Sequence, residues 1–182
     1  MKIAAIVGSN RKNSYNRKLA VFIQERYQDK LEIELLPIEK LPLYNEDEEF
    51  NPIPIVKDIK NKICECAGVI IATPEYNHSI PGLLKNAIDW FSRVETVMVN
   101  KPVMIVGCTT GALGTVRAQM HLRQILNSPG ISTLILPGNE VLINNVQEKI
   151  DNKGKLTHEP TILFLDRVIH NFIEWIEKNK SQ

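Results

Sequence analysis

Five short β-compatible segments alternate with amphipathic helical patterns along this chain of 182 residues. The segments comprise residues 2–7, 31–36, 68–73, 101–107 and 131–136. Parallel strands are joined by long crossovers, which are usually helical. These helices form two layers that bury both faces of the sheet. The alternation therefore predicts an α/β fold: a doubly wound, five-stranded parallel sheet with helices on both faces. At this length the natural strand order is 2-1-3-4-5.

Composition narrows the class of protein. The length suits a single domain over residues 1–182, large enough to bury a core without metals or disulfides. Lys and Arg number 22 against 21 Asp and Glu, so the net charge is +1, with no basic stripe typical of nucleic-acid binding. No apolar run approaches the roughly 18 residues of a membrane span, and the N-terminal segment is unlike a signal peptide. We therefore expect a soluble cytoplasmic protein with neither nucleic-acid nor membrane partners.

The cysteines and histidines give no sign of a metal site. Cys64 and Cys66 have neither zinc-ribbon nor dithiol redox spacing, and Cys108 stands alone. The four histidines also lack ligand spacing; they are His78, His121, His158 and His170. We expect buried apolar thiols and no bound metal.

Three polar loops follow strands one, three and four of the predicted sheet. They span residues 8–16, 73–82 and 108–114. In the order 2-1-3-4-5 these strands are neighbours, so their loops meet at one edge of the sheet. Open α/β sheets bind ligands at this edge, where the strand order reverses.

The first loop has the donors that a terminal phosphate needs. It combines the hydroxyls of Ser9 and Ser14 with the guanidinium of Arg11 at the start of a helix, where backbone N–H groups are free. Side-chain amides are also available, from Asn10, Asn13 and Asn16. The loop matches neither the dinucleotide fingerprint nor the ATP P-loop. An ordinary capped turn remains an alternative, because Ser and Asn are common helix caps.

The other two loops suit a planar ring. Pro74 and Pro81 stiffen the second loop, Tyr76 offers a flat surface, and Asn77 can form hydrogen bonds to a ring edge. A tyrosine here could equally be partly packed against the protein. Backbone amides of the third loop could stabilise negative charge on a reduced ring. No nucleophile arrangement is visible, and none is needed if a cofactor carries out hydride transfer.

An acidic segment at residues 41–50 separates the second strand from the following helix. Prolines border it, and four acidic residues occupy positions 46–49. It can be a solvated surface loop, or it can cover a pocket or a subunit contact.

Three stretches resemble the NAD(P)H-dependent FMN reductase family, which includes bacterial quinone, chromate and azo-dye reductases. They read GSNRKNSYN at 8–16, PEYNHSIPGLLKNAIDW at 74–90 and RAQMHLRQIL at 117–126. The resemblance extends over nearly the whole chain, and the central stretch is its most specific part. It implies a flavodoxin-like fold, FMN as cofactor and NADPH or NADH as electron donor.

The resemblance also implies roles for individual residues. Ser9, Arg11, Ser14 and Asn16 would hold the FMN phosphate. The isoalloxazine would be framed by the second loop, through Pro74, Glu75, Tyr76, Asn77, Ser79 and Gly82. From its other side it would be approached by Thr109, Thr110 and Gly111. The third loop departs from the family pattern, because it is less rich in glycine and serine than in many relatives.

The activity implied by the resemblance is a ping-pong reduction of quinones, flavins, chromate or azo compounds, without an essential protein acid or base. A homodimer or homotetramer is also implied, with Arg117, Arg123 and residues 46–49 as candidate contacts between subunits. Two other functions share the fold: a flavodoxin-type one-electron carrier and a non-catalytic flavin-binding regulator. The near-neutral charge fits a carrier less well than the acidic surface typical of that class.

Overall fold

The computed structural model of the protein describes residues 1–180. Six parallel strands form one sheet: β1 (Lys2–Val7), β2 (Glu32–Leu36), β3 (Gly68–Ala72), β4 (Pro102–Cys108), β5 (Leu134–Ile135) and β6 (Val141–Ile143). Five helices connect or follow them: α1 (Tyr15–Arg26), α2 (Pro54–Glu65), α3 (Gly82–Phe91), α4 (Val116–Leu126) and α5 (Glu159–Asn179). The sheet order is β2-β1-β3-β4-β5, which confirms the predicted flavodoxin-like order.

Two apolar clusters cover the two faces of the sheet. Residues of α1 and α5 pack in one cluster, and residues of α2, α3 and α4 pack in the other. Strand β1 supplies both clusters in alternation: Ile3 and Ala5 belong to the first, Ala4 and Ile6 to the second. This period of two is what a strand buried on both faces requires.

The fifth strand differs from its prediction. Within residues 131–136 only Leu134 and Ile135 pair with β4, because the preceding residues fold back against the end of α4, where the Thr133 N–H donates to the Leu126 carbonyl at 3.0 Å. Residues 139–158 contain β6, which pairs with the end of β4. A three-residue strand within a polar stretch is too short for its pattern to show.

Strand register brings the three polar loops together. Val7 of β1 lies opposite Ala72 of β3, and Ala72 lies opposite Val106 of β4. Strand β4 continues to Cys108, two residues beyond its pairing with β3. The loops after β1, β3 and β4 therefore share one edge, with β4 projecting beyond β1 and β3.

Two further findings apply to residues 1–180. None of their helices combines the length and apolar character needed to cross a membrane. They also contain no group of three or more His, Cys, Asp or Glu side chains that could hold a metal ion.

Candidate functional site

A cavity of about 270 Å³ opens at the carboxyl ends of β1, β3 and β4. Nine of the residues predicted for the site line it: Ser9, Arg11, Ser14, Asn16, Pro74, Glu75, Tyr76, Thr109 and Thr110. Tyr15 and Cys108 line it as well, although the sequence patterns did not single them out as ligand contacts. The prediction that these loops converge is therefore confirmed at the level of geometry.

The first loop keeps most of its donors available. Ser14 caps α1, since its Oγ accepts from the Arg17 N–H at 3.3 Å, and its own hydroxyl proton remains free to donate. Ser9 Oγ accepts from the Arg11 N–H at 3.3 Å and is likewise free to donate. The Arg11 guanidinium donates to the Asn13 carbonyl at 2.7 Å and lies 5.3 Å from the Tyr15 ring centroid.

Backbone N–H groups at the start of α1 add to these donors. Those of Lys12, Asn13, Tyr15 and Asn16 have no acceptor within residues 1–180. Free N–H groups at a helix start, together with the positive end of the helix dipole, favour anions. Hydroxyls, a guanidinium and these amides together match the acceptor oxygens of a phosphomonoester.

Asn16 has a different role from the other residues of its loop. Its side chain is 3% exposed and forms a reciprocal pair with Cys108: Nδ2 donates to the Cys108 carbonyl and Oδ1 accepts from the Cys108 N–H, both at 3.0 Å. Strand β3 no longer pairs with β4 at this point, and Pro74 has no N–H to offer. The Asn16 carboxamide thus continues the ladder in place of a strand, and it fastens the first loop to the third.

Glu75 also bonds to the protein itself. Its Oε2 accepts from the backbone N–H groups of Arg117 at 2.9 Å and Ala118 at 3.1 Å, at the start of α4. The Arg117 guanidinium lies 3.4 Å from Oε1. Thr115 provides no side-chain cap for this helix, so Glu75 caps it from another loop.

Residues 76–79 form a minimal hairpin. The backbones of Tyr76 and Ser79 exchange two hydrogen bonds of 3.0 Å. The two residues between them are both left-handed, with φ of 52° at Asn77 and 62° at His78, as a type I′ turn requires. The hairpin presents the Tyr76 ring, which is 49% exposed, beside the cavity. Ser79 Oγ lies 2.7 Å from Nδ1 of His121 on α4, which holds the hairpin against that helix.

The third loop is fastened by the segment around β6. The Thr109 N–H donates to the Ile143 carbonyl at 2.9 Å, and the Asn145 N–H donates to the Gly111 carbonyl at 3.2 Å. Close packing beneath it requires Gly107, because a Cβ there would overlap Thr115 Oγ1 and lie 2.8 Å from the Thr73 carbonyl. The loop that faces the cavity is thus held from two sides.

Cys108 lies at the floor of the cavity. Burial raises the pKa of its thiol to about 12, so the sulfur stays protonated at neutral pH and is a poor nucleophile. Cys66 is buried as expected, whereas Cys64 is exposed, contrary to the expectation of buried thiols.

Four predicted site residues do not line the cavity, namely Asn77, Ser79, Gly82 and Gly111. Asn77 and Ser79 belong to the hairpin beyond Tyr76, Gly82 is the first residue of α3, and Gly111 follows the lining residue Thr110.

The acidic segment is fastened to α3. The Tyr44 N–H donates to Asn86 Oδ1 at 2.7 Å, and its hydroxyl donates to Glu49 at 2.8 Å. Trp90 Nε1 and Asn86 Nδ2 both donate to the Pro42 carbonyl, at 3.0 and 2.8 Å. Asn86 and Trp90, prominent in the central sequence stretch, therefore hold this segment in place.

The residues at the cavity fit FMN. A donor-rich loop at a helix start suits its phosphate, and the exposed Tyr76 in the same cavity as Thr109 and Thr110 suits its flat ring. Most pockets for small ligands combine a preformed cleft with a few convergent polar groups in this way.

Comparisons with known proteins give a consistent result. A family model described as NADPH-dependent FMN reductase matches residues 1–148. NADH-dependent flavin reductase subunit 2 of Lactobacillus johnsonii is 44% identical, with 98% of each chain covered. The quinone reductase of Escherichia coli K12 is 35% identical, covering 99% of this chain and 97% of its own.

Among solved structures, FerB of Paracoccus denitrificans, a flavoenzyme NAD(P)H:(acceptor) oxidoreductase, superposes with a TM-score of 0.89. It is 35% identical, and 98% of each chain is covered.

Proposed function

The chain belongs to the NADPH-dependent FMN reductase family, and we propose that it uses NADPH or NADH to reduce small acceptors such as quinones or flavins through bound FMN. The observation that carries the proposal is the cavity at the carboxyl ends of β1, β3 and β4. There the donor-rich first loop, the exposed Tyr76 and the third-loop residues Thr109 and Thr110 meet.

Each loop has a separate task in this proposal. Ser9, Arg11 and Ser14 hold the phosphate, together with the free N–H groups at the start of α1. Tyr76 forms one wall for the ring, and the backbone of residues 109–111 approaches it from the other side. When bound, FMN supplies the hydride chemistry that links oxidation of the nicotinamide to reduction of the acceptor. The chain then needs only to bind, orient and shield the reactants.

The test is a spectrum followed by turnover. The purified protein is mixed with FMN and freed of excess cofactor, and its visible absorption is measured. Oxidation of NADPH and of NADH is then followed anaerobically with benzoquinone as acceptor. We expect a yellow protein that oxidises at least one nicotinamide only when the acceptor is present. A preparation that stays colourless and shows no turnover refutes the proposal.

We also propose that the chain forms a homodimer or homotetramer. In support, two large apolar side chains on either side of residues 46–49 are almost fully exposed, Leu43 at 85% and Phe50 at 82%. Arg117 already has an intrachain partner in Glu75, which leaves the acidic segment and Arg123 as the remaining candidates for the expected charged contact.

A specific observation favours a second kind of assembly, a hetero-oligomer in which this chain is one subunit. The L. johnsonii relative and a Vibrio ruber protein, NADH:(hydroxy)cinnamate reductase subunit CrdA, 40% identical, are both named as subunits. Light scattering during size-exclusion chromatography distinguishes the two assemblies: a homo-oligomer has a multiple of the 20.7 kDa chain mass. In a homo-oligomer built on the apolar pair, Phe50→Glu should yield monomers. A wild-type chain that is monomeric at all concentrations refutes the homo-oligomer.

Two further expectations complete the proposal. We infer that residues 1–182 act as one domain, supported by the packing of both apolar clusters on one sheet; Ser181 and Gln182 lie outside the described residues. A single cooperative unfolding transition is expected. We also propose a cytoplasmic location, supported by three cysteines that are all free thiols, as is usual in reducing compartments. Cell fractionation tests it.

A further inference from the structure

A second groove lies directly beside the flavin cavity. It has a volume of about 330 Å³ and runs between α1 and the turn at residues 151–155. Ser14, at the start of α1, lines both spaces, so the phosphate-binding loop forms the wall between them. The volume lies at the lower end of the range typical of small-ligand pockets, which begins at about 300 Å³.

The groove carries a strong local excess of positive charge. Five of its lining residues are cationic and one is acidic, Glu25; the cations are Lys12, Arg17, Lys18, Lys153 and Lys155. The whole chain has a net charge of only +1, so this imbalance is specific to the groove. Arg17 is 3.7 Å from Glu39, which offsets one cation and leaves the others facing the space. An anion placed here would be attracted over several ångströms.

One wall of the groove is a well-defined turn. Asp151 Oδ1 accepts from the backbone N–H groups of Lys153 and Lys155, both at 2.9 Å, and the Asp151 carbonyl accepts from the Gly154 N–H at 2.8 Å. These bonds lower the pKa of the Asp151 carboxyl, with the Lys155 N–H as the largest cause. The two lysine side chains are therefore carried on a fixed backbone.

The turn packs closely against the opposite wall. Gly154 has a φ of 83°, and a Cβ there would lie 2.7 Å from Lys18 Nζ and 2.8 Å from its Cδ. The Lys18 side chain thus crosses the glycine, and its ammonium group reaches 5.4 Å from the centroid of Tyr15, a residue of the flavin cavity. This contact links the walls of the two spaces.

Apolar surface is present between the cations. Val21 and Phe22 of α1 contribute to the lining, and Phe22 is buried against the core. A ligand that fits must therefore have a flat or apolar part as well as negative charge. Simple inorganic anions would leave the apolar part of this surface uncovered.

We propose that the groove binds the adenosine-phosphate portion of a nucleotide, with the adenosine against Val21 and Phe22 and its phosphates among the lysines. The inference rests on the proposed function, which supplies two sources of this chemistry. One source is the phosphorylated adenosine of the NADPH donor. The other is the adenylate half of FAD, continuing from the flavin phosphate past Ser14.

The test compares two double variants in the FMN-loaded protein. Lys153→Glu/Lys155→Glu reverses two groove charges but keeps the backbone bonds to Asp151. Lys57→Glu/Lys178→Glu reverses two exposed charges on α2 and α5, away from the groove. Calorimetry measures binding of adenosine 2′,5′-bisphosphate, with inorganic phosphate as a competitor.

We expect the groove variant to lose affinity by about tenfold or more and the control variant to keep that of the wild type. Wild-type affinity should also fall with added salt, because the groove is open to solvent. Failure of the wild type to bind the bisphosphate, or equal binding by both variants, overturns the proposal.

Two further measurements identify the source. If the groove serves the donor, the groove variant raises the KM for NADPH and leaves kcat unchanged. If it serves FAD, the affinity of the apoprotein for FAD falls while that for FMN does not. If neither value changes, the assignment to these two nucleotides is wrong.

The binding test is independent of turnover. A chain that binds the bisphosphate but shows no flavin-dependent oxidation of NAD(P)H contradicts only the proposed function. A chain that turns over normally and does not bind the bisphosphate contradicts only the groove.

Discussion

The first and second loops of the cavity use similar polar residues in opposite ways. In residues 9–14 the hydroxyls and nearby backbone N–H groups are largely left free, so they can bind a ligand. In residues 74–79 the carboxylate of Glu75 caps α4, and the backbone of Tyr76 pairs with that of Ser79. The first loop leaves its donors available, whereas the second uses its polar groups to hold one aromatic ring in a fixed place.

Asn16 belongs to the first loop but bonds to the protein itself, and its removal should have the largest effect. Asn16→Ala leaves the N–H and carbonyl of Cys108 buried without partners. At about 1 to 3 kcal/mol for each of the two unsatisfied groups, we expect the free energy of unfolding to fall by about 2 to 6 kcal/mol. Chemical denaturation measures it.

Asn13→Ala, an exposed change in the same loop, is the control and should cost less than about 0.5 kcal/mol. Similar losses in the two variants would show that the Asn16 pair contributes nothing special.

Arg11→Ala tests whether the first loop binds FMN rather than stabilising the fold. Loss of a hydrogen bond to a charged group, about 1.5 to 3 kcal/mol, should weaken FMN binding by roughly 10- to 100-fold. Because Arg11 is exposed and its side chain donates to one backbone carbonyl only, the apoprotein should unfold at nearly the wild-type temperature. Fluorescence titration gives the affinity. An apoprotein that loses stability while keeping its FMN affinity would reverse the comparison between the loops.

Glu75→Ala tests the opposite role of the second loop. Removing a helix cap costs about 1 kcal/mol on average, and that loss should be seen in the apoprotein by thermal or chemical unfolding. Glu75→Gln keeps an acceptor oxygen and should therefore lose less stability than Glu75→Ala. If Glu75 instead contacts the ring directly, both variants should weaken FMN binding without altering the stability of the apoprotein.

Asn77 gives the smallest and most discriminating test. Its φ of 52° is unfavourable for alanine, so Asn77→Ala combines backbone strain with loss of the side chain. Asn77→Gly keeps the turn and removes only the side chain. If the side chain binds FMN, both variants should weaken binding, and the glycine variant should lose less than about 0.5 kcal/mol of stability. FMN affinity unchanged in Asn77→Gly would leave Asn77 with a role in the turn alone.

Much of the fold could be predicted because its signals are local. The apolar runs of β1, β3 and β4 are surrounded by polar loops, and their boundaries were predicted to within one residue at either end. The fifth strand was predicted too long for a related reason: residues 131–136 have a strand pattern, but the first half of them forms the turn after α4. Strand β6 has only three residues and depends on pairing with β4.

The site could be predicted in outline, but the partners of its side chains could not. Ser9, Arg11 and Ser14 are recognisable as donors before a helix, and Tyr76 as a flat surface in a stiff loop. Asn16 and Glu75 have the same polar character, yet their partners lie 92 and 42 residues away in sequence. Whether a polar side chain contacts a ligand or a distant backbone group depends on tertiary geometry. The local sequence pattern does not predict which of the two it contacts.

Two short strands, β5 and β6, share the edge of the sheet beside β4, and this arrangement affects the tendency of the protein to aggregate at high concentration. A long exposed edge strand offers a row of free backbone groups onto which another chain can add, which promotes aggregation. Here that edge is interrupted between β5 and β6 by residues 136–140, including Pro137. The Trp175 indole also donates to the Leu134 carbonyl at 2.8 Å and occupies one of the few groups that remain. Few free backbone groups therefore remain in a row at this edge, and the addition of a strand from another chain is disfavoured there.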